Sequence, residues 1–359
     1  MEEQKDALGM LDLMIRPAFC VKENKIVKVN QAAEGLFLTP GAAIQPLLLT
    51  GGSEYAAFTD GCLYLTLSLS GQSCGASITR VDGMDVFVLE QEEDHAELRS
   101  MALAARELRD PLTNVMILAD QLYPLSALQD DPATKELALR LNRGLYQMLR
   151  VIGNMSDASR CAVTSRQETR EIGSLFDEVF EKAEALICHT GVTLTYKGLN
   201  EQVYALADAE QLERAVLNIL SNAIKFTPKN GTIEAKLTRH GSMLRLSVQD
   251  GGSGIAENIR SSVFNRYLRQ PAIEDSRFGI GLGMVLIRSA AANHGGAVLI
   301  DQPGGKGTRI TMTFAIRQSR DTMLRSNVLR VDYAGEQDHG LIELSECLPV
   351  KLYEKGIRD

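Results

Sequence analysis

Residues 212–228, LERAVLNILSNAIKFTP, give the strongest structural signal in this sequence. The apolar residues recur every three or four positions, which predicts an amphipathic helix that ends near Pro228. Asn218 and Asn222 are four positions apart, so both carboxamides lie on one face of that helix, and Lys225 follows. A carboxamide oxygen is a neutral, hard ligand that suits Mg²⁺ holding phosphate, and a lysine offers phosphate a point charge. The stretch therefore predicts a helix with one face suited to metal-bound phosphate.

A strand and a glycine turn follow this helix in residues 247–255, SVQDGGSGI. The apolar strand ends at Asp250, whose carboxylate can accept a hydrogen bond from an exocyclic amine, as adenine has. Gly252 and Gly254 allow the main chain to come close to a ligand. This segment predicts a contact with a nucleotide base.

Two further segments complete the pattern. Residues 278–296, FGIGLGMVLIRSAAANHGG, place three glycines before a long helix, and the amides at a helix N-terminus form an anion site for a triphosphate. Residues 304–314, GGKGTRITMTF, bring Gly307 and Thr308 into a strand. Each segment alone is a weak signal, but their fixed order on helix, strand-turn, loop-helix and strand predicts a nucleotide site.

The order of these segments resembles the GHKL-type ATPase fold shared by gyrase, heat-shock chaperones, histidine kinases and mismatch-repair ATPases, and the histidine-kinase branch fits best. NILSNAIKFTP is similar to the N box of that branch, DGGSGI to its G1 box, VFNRYLR to its F box and GIGLGM to its G2 box. The resemblance implies ATP and Mg²⁺ as cofactors, with Asn222 as the metal ligand and Asp250 at the adenine. It implies that Arg269 and Lys225 face phosphates and that residues 270–278 form a short lid. The further nucleotide-binding positions that it implies are Asn218, Gly252, Gly254, Gly279, Gly281, Leu282, Gly283 and Thr308.

The segment before the ATPase boxes predicts a helical hairpin. Apolar residues recur at helical spacing on both sides of the polar break SALQDDPATK. The hairpin resembles the dimerisation and histidine-phosphotransfer domain of the same family, whose motif is His-Glu-x-x-x-Pro. Here the motif is Arg106, Glu107 and then Pro111. By this resemblance Glu107 is the acid/base residue, and two hairpins pair as a four-helix bundle in a homodimer, which would bury the apolar stripe of each.

The residue at the acceptor position decides what this hairpin can do. A neutral imidazole has a lone pair that can attack a γ-phosphate, whereas a guanidinium is always protonated and has none. Arg106 is therefore not expected to accept phosphate. It can form an i,i+4 ion pair with Asp110, which we favour, or bind a phosphate as a fork of donors. His95 shares its helix face three turns earlier and is either a substitute acceptor or a solvated linker residue.

The first 93 residues combine short strands and helices. Two strands flank a turn at Glu23 and Asn24, a helix is predicted over residues 31–37, and three longer alternating strands follow in CLYLTLSLSG, CGASITRVDG and MDVFVLEQ. This order resembles a PAS sensor domain. No sequence feature identifies a flavin or haem site in it.

Length and charge narrow the class of protein. A chain of 359 residues predicts two or three domains, and the net charge of −8 argues against nucleic acid as a partner. No apolar run is long enough for a membrane span, no signal peptide is apparent, and six scattered cysteines suggest buried free thiols. We therefore expect a cytoplasmic protein. The C-terminal tail is amphipathic and is expected to pack against the rest of the chain.

Together these patterns predict a multidomain α+β protein. Its predicted parts are a PAS-like α/β sensor (1–93), a two-helix hairpin (94–165), an α/β-sandwich ATPase domain (166–318) and a tail without an assigned role (319–359). The predicted function is that of a degenerate histidine kinase that binds Mg-ATP and acts through a response regulator or an intact kinase. The alternatives are an active kinase with another acceptor such as His95, and a plain ATPase.

Overall fold

The computed structural model describes residues 8–9, 11–122, 131–160, 167–255, 263–264, 281–317 and 338–354, and for residues 92–95, 159, 160 and 305 only the main chain. The fold is α+β, as predicted. The strands are β1 Ala18–Lys22, β2 Lys25–Val29, β3 Cys62–Leu69, β4 Gln72–Val81, β5 Met84–Leu89, β6 Glu168–Glu171, β7 Thr193–Lys197, β8 Tyr204–Ala207, β9 Thr232–His240, β10 Met243–Gln249, β11 Val298–Asp301 and β12 Arg309–Ala315.

The helices differ widely in length. The main α-helices are α1 Gly52–Ala56, α2 Glu92–Leu122, α3 Pro132–Arg160, α4 Ile172–Ile187, α5 Ala209–Phe226, α6 Gly283–Asn293 and α7 His339–Glu343. Short 3-10 helices cover Gln31–Leu36, Gln45–Leu47, Cys188–Thr190, Pro303–Gly305 and Val350–Tyr353.

The N-terminal region forms an antiparallel sheet with the expected turns. Glu23 and Asn24 both have positive φ, 49° and 62°, which confirms the predicted turn between β1 and β2. The three longer strands pair as a meander, β3 with β4 and β4 with β5. The expected helix after β2 is a 3-10 helix, which Asn30 begins by accepting a hydrogen bond from the Ala33 main chain at 3.1 Å. Apolar side chains from these strands form a main core, and others form a smaller, separate cluster with Leu11 of the segment before β1.

This sheet continues into the predicted ATPase region, residues 166–318. The strand order is β2-β1-β5-β4-β3-β11-β12-β10-β9-β7, so that β3 pairs antiparallel with β11, with Cys62 opposite Ile300 and Tyr64 opposite Val298. Neither strand is an edge, because each has partners on both sides, and an unpaired edge would expose main-chain donors and acceptors. The sequence does not predict this join, since both strands have ordinary alternating patterns.

The ATPase region packs helices α4, α5 and α6 against strands β7 to β12. Strand β9 alternates buried and exposed residues along most of its length, so one face of this strand is covered and the other is not. Helix α5 begins at its cap Asp208, which accepts a hydrogen bond from the Gln211 main chain at 3.2 Å. The buried His294, at the C-terminal end of α6, accepts the Asp208 main-chain N–H through Nε2 at 2.9 Å and so fixes where α5 begins.

Helices α2 and α3 form the predicted hairpin. Ala105, Leu112 and Met116 of α2 pack against Leu145 and Ile152 of α3, and α2 continues through Pro111. Of the predicted loop, residues 126–130 lie outside the described residues, and residues 132–135 belong to α3. A set of large apolar side chains on both helices stays exposed, namely Leu103, Leu108, Val115, Leu118, Leu122, Leu137, Leu141 and Met148.

The described part of the C-terminal tail packs onto the protein, as expected. Ile342, Leu344, Leu348 and Tyr353 are at most 1% exposed and belong to the core that α5 also contributes to. The cysteine expectation is only partly correct: the described cysteines are free thiols, but Cys188 is exposed. Among the described helices, none combines the length and apolar character that crossing a membrane requires.

Candidate nucleotide site

Helix α5 presents the two asparagines in different surroundings. Asn218 is 1% exposed, and its Nδ2 donates to the Arg214 carbonyl at 2.9 Å and to Glu343 at 3.3 Å. Asn222, one turn later, is half-buried, and none of the hydrogen bonds found among the described residues uses its carboxamide. The two amides are therefore not equivalent, because Asn218 is already engaged by the C-terminal segment.

Asp250 lies at the end of β10 and is only 8% exposed. Its Oδ1 accepts the main-chain N–H groups of Gly252 at 2.8 Å and Thr308 at 3.0 Å. Burial raises the pKa of the carboxyl, and the hydrogen bonds from Gly252 and Thr308 oppose that rise. The carboxylate is thus fixed in position without a cationic partner among these contacts. A carboxylate has acceptor capacity beyond these two bonds.

The G1 segment and the Gly307-Thr308 segment interlock around this carboxylate. The Asp250 N–H donates to the Thr308 carbonyl at 2.9 Å, and the Gly307 N–H donates to the Gly252 carbonyl at 3.0 Å. Gly307 has φ of 69°, and a Cβ there would lie 2.0 Å from the Asp250 carbonyl oxygen. Only glycine allows this approach. Gly254 follows the turn beside the side chain of Gln302.

The G2 segment meets α5 at the first residue of α6. A Cβ on Gly283 would lie 2.9 Å from Asn218 Oδ1, so that glycine permits the two helices to approach. Leu282 is 2% exposed and packs in a cluster with Leu98 of α2 and Ala158 of α3. The Leu282 side chain therefore joins the ATPase region to the hairpin, and Gly281 lies exposed before it.

Lys225 has a partner that the sequence did not indicate. Its ammonium group is in contact with the carboxylate of Glu346 in the C-terminal segment. Arg150 of α3 binds the same carboxylate at 2.7 Å. The side chains of Lys225 and Glu346 are 10% and 14% exposed, so this is a largely buried ion pair.

Glu343 forms a second buried charge cluster next to it. Its carboxylate lies 3.4 Å from Arg150 Nε and 3.0 Å from Arg214 Nη2, and the side chain is fully buried. Sequence reasoning missed this cluster of Arg150, Arg214, Glu343 and Glu346. Two signals could have indicated it: an arginine inside the apolar pattern of α5, and two glutamates three positions apart between buried residues of the tail.

A further cluster joins the N-terminal part of the sheet to α6. Arg288 of α6 binds Glu90 at 2.7 Å, donates to the Phe264 carbonyl at 3.0 Å and lies over the Tyr64 ring, 5.1 Å from its centroid. The Tyr64 hydroxyl donates to Glu90 at 3.1 Å, and the rings of Tyr64 and Phe264 are 5.7 Å apart. Phe264 is 2% exposed, so its side chain is packed in the interior.

The hairpin motif is on the surface. Arg106 and Glu107 are exposed, while Ala105 beside them is buried against α3. The expected ion pair between Arg106 and Asp110 is not present among the interactions of the described residues, so that expectation was wrong. Arg269, Gly279, Tyr267 and the lid at 270–278 lie outside the described residues, as does the side chain of His95.

Comparison with known proteins identifies the ATPase segment. Residues 207–318 match the family model described as histidine kinase-, DNA gyrase B-, and HSP90-like ATPase. An uncharacterized sensor-like histidine kinase of Rhizobium meliloti is 28% identical over 275 residues, which are 72% of this chain and 52% of that protein. The signal transduction histidine-protein kinase/phosphatase MprB of Mycolicibacterium vanbaalenii is 29% identical over 288 residues, 78% of this chain and 57% of its own. The matched region thus spans little more than half of these relatives.

A solved structure shares the fold. The crystal structure of full-length ShkA in complex with AMPPNP superimposes with a TM-score of 0.50 at 22% identity, over 62% of this chain and 47% of that one.

Proposed function

We infer that this chain, which belongs to the sensor histidine kinase family and has a GHKL-type ATPase domain, is a degenerate member that binds Mg-ATP without phosphorylating its hairpin at the usual position. The observation that supports this most directly is the contrast between an intact base contact and an altered acceptor position. The buried Asp250 carboxylate is fixed by two main-chain donors, as a base contact requires, whereas the acceptor position is occupied by Arg106.

The nucleotide contacts follow from the positions of the boxes. Both main-chain donors bind Oδ1 of Asp250, which leaves acceptor capacity on that carboxylate for the exocyclic amine of adenine. The amides at the N-terminus of α6 and the ammonium of Lys225 are the proposed phosphate contacts. The site residues Gly252, Gly254, Gly281, Gly283 and Thr308 supply the main chain around the nucleotide.

Asn222 is the proposed ligand for Mg²⁺. A carboxamide oxygen is a hard, neutral donor, and it stands one turn before Lys225 on α5, where a metal would also contact phosphate oxygens. The magnesium ion, when bound with ATP, would neutralise part of the phosphate charge.

Arg106 limits what the bound nucleotide can be used for. Autophosphorylation at this position requires a nitrogen lone pair to attack the γ-phosphorus, and guanidinium has none. Glu107, the neighbouring proposed acid/base residue, is exposed on α2 and has no acceptor imidazole to serve. The nucleotide would then act by stabilising a shape of the protein that partners recognise.

The proposed assembly is a homodimer through the hairpin. The exposed apolar side chains on α2 and α3 support it, because pairing with a second hairpin would bury them. The proposed units are a PAS-like sensor over 1–93, the hairpin over 94–165, the ATPase domain over 166–318 and a tail over 319–359. The proposed partners are a response regulator or an intact kinase, in the cytoplasm.

The experiment is labelling of three purified proteins with γ-labelled ATP. We expect no acid-labile label on the parent chain, although calorimetry detects ATP binding. Arg106→His restores the acceptor and should acquire acid-labile label, while the double variant with Asp250→Asn should lose most of it. The Arg106→His variant is the matched control, because it tests whether the ATP site can deliver a phosphoryl group.

Each other outcome has a definite meaning. Acid-labile label on the parent contradicts the proposal, and its loss in His95→Gln would identify the substitute acceptor. Phosphate release without phosphoprotein would indicate a plain ATPase. If calorimetry detects no heat when ATP is added, the proposal of a nucleotide site is wrong.

A further inference from the structure

The C-terminal segment, residues 338–354, is held between the hairpin and the ATPase region. Asp338 begins α7 by accepting the Gly340 main-chain N–H at 2.8 Å, and the side chains after it enter the core beside α5. Arg143 of α3 donates to the carbonyls of Ser345 and Glu346, each at 3.1 Å. Main chain and side chains together therefore fix where the Glu346 carboxylate lies.

Glu346 binds two cations that belong to different helices. Its carboxylate contacts Lys225 of α5 and lies 2.7 Å from Arg150 of α3. Burial alone would raise its pKa, but the charges of Arg150 and Lys225 lower the pKa below the ordinary value. The group is therefore an ionised carboxylate at neutral pH.

The position of Lys225 makes this contact relevant to the nucleotide. Lys225 follows Asn222 by three residues on α5, so the two side chains are neighbours on the helix surface. A phosphate oxygen bound near Asn222 would require the ammonium that Glu346 now occupies. A carboxylate there also repels a polyphosphate, because both are anions.

We propose that Glu346 is an internal competitor of the nucleotide: by pairing with Lys225 it lowers the affinity of the site for ATP, and ATP in turn displaces it. This inference rests on the proposed nucleotide-binding function. The C-terminal segment then makes nucleotide affinity depend on whether its own carboxylate is docked.

The neighbouring charges allow Glu346 to leave. Arg150 keeps Glu343 as a partner, 3.4 Å from its Nε, so the departure of Glu346 does not leave a buried arginine unpaired. Lys225 would exchange one anion for another. Glu343, in contrast, is shared by Arg150 and Arg214 and stays in place.

The test compares ATP affinity in full-length parent, Glu346→Gln, Glu346→Asp and Glu354→Gln proteins by isothermal calorimetry. Glu346→Gln should bind ATP roughly threefold to tenfold more tightly, since one competing charge contact is lost. If Glu346→Gln proves unstable, Glu346→Asp replaces it in the test. Its shorter side chain reaches Lys225 less well, so it should also bind ATP more tightly than the parent. Glu354→Gln is the matched control, because Glu354 pairs with Lys135 on the surface at the end of the same segment.

A second readout follows from reciprocity. If ATP displaces Glu346, then saturating ATP should increase amide hydrogen exchange in residues 344–353 of the parent. The inference is supported if Glu346→Gln binds ATP more tightly than the parent and if ATP speeds up amide hydrogen exchange in residues 344–353 of the parent. Equal or weaker binding, or slower exchange with ATP, overturns it while the proposed function stands. Failure of every protein to bind ATP overturns both.

Discussion

Two buried carboxylates in the same region have opposite surroundings. Asp250 is held by the main-chain N–H groups of Gly252 and Thr308, whereas Glu343 is held by the guanidinium groups of Arg150 and Arg214. Main-chain amides fix a carboxylate without cancelling its charge, so Asp250 retains acceptor capacity for a ligand. Two guanidinium groups cancel the charge of Glu343, which therefore serves the packing of α3 against α5. The hydrogen-bond and ion-pair partners of a buried carboxylate, more than its burial, decide whether it can still bind a ligand.

The largest expected effect comes from breaking the Glu343 cluster. Glu343→Gln removes the anion that Arg150 and Arg214 share, although Arg150 keeps Glu346 and Arg214 keeps Asp157 as partners. It should lower the free energy of unfolding by about 3 kcal/mol, the lower end of the range for a broken buried ion pair. The measurement is urea denaturation followed by circular dichroism, because the chain has no tryptophan.

Glu354→Gln is the control for that prediction. Its ion pair with Lys135 at 3.1 Å is exposed, so the unfolding free energy should change by at most about 1 kcal/mol. Equal effects of the two substitutions would mean that the buried cluster contributes no more than a surface pair.

Asp250→Asn should separate binding from stability. The amide oxygen can keep the two main-chain hydrogen bonds, but it loses the charge that an exocyclic amine would meet. We expect a loss of about 1.5–3 kcal/mol of ATP binding free energy by calorimetry, with the protein still folded. An unchanged isotherm would show that Asp250 is a structural residue like Glu343.

Acidification should change the contributions of Asp250 and Glu346 to folding stability in opposite directions. The pKa of Asp250 is raised above 3.8 in the folded state, so ionisation of Asp250 costs stability, and that cost grows as pH rises through its folded pKa. The pKa of Glu346 is lowered below 4.5, so its stabilisation is complete above pH 4.5 and is lost as pH falls through the folded pKa.

The measurement is urea denaturation of parent, Asp250→Asn and Glu346→Gln between pH 7 and pH 3. On acidification the parent should gain stability relative to Asp250→Asn and lose stability relative to Glu346→Gln. Changes of the same sign in both comparisons would contradict the distinction between the two environments.

The smallest expected change in stability concerns Glu90. This third carboxylate contacts one cationic side chain and one neutral hydrogen-bond donor. It binds Arg288 at 2.7 Å and accepts from the Tyr64 hydroxyl at 3.1 Å. Tyr64→Phe removes the neutral donor and should cost about 0.5–1.5 kcal/mol of unfolding free energy, measured by the same denaturation. Tyr204→Phe, at an exposed tyrosine, is the control and should cost almost nothing.

Sequence reasoning recovered the local features of the site and missed the contacts between distant segments. The predicted strand end at Asp250, the helix with Asn218 and Asn222 and the turn at Glu23 all depend on residues near one another in the chain. The Arg106–Asp110 ion pair, also a local prediction, was wrong, because two exposed side chains are not obliged to meet. Glu346 could not be assigned to Lys225, since 121 residues separate them.

The sequence by itself determined the α+β class, the order of the ATPase boxes and the absence of an imidazole at Arg106, because periodicity, glycine turns and side-chain chemistry are local properties. Only the tertiary structure decided that β3 joins β11 in one sheet and that the tail carboxylates bind Arg150, Arg214 and Lys225. Such pairings satisfy buried donors, acceptors and charges, and many segments could satisfy them equally well until the chain has folded.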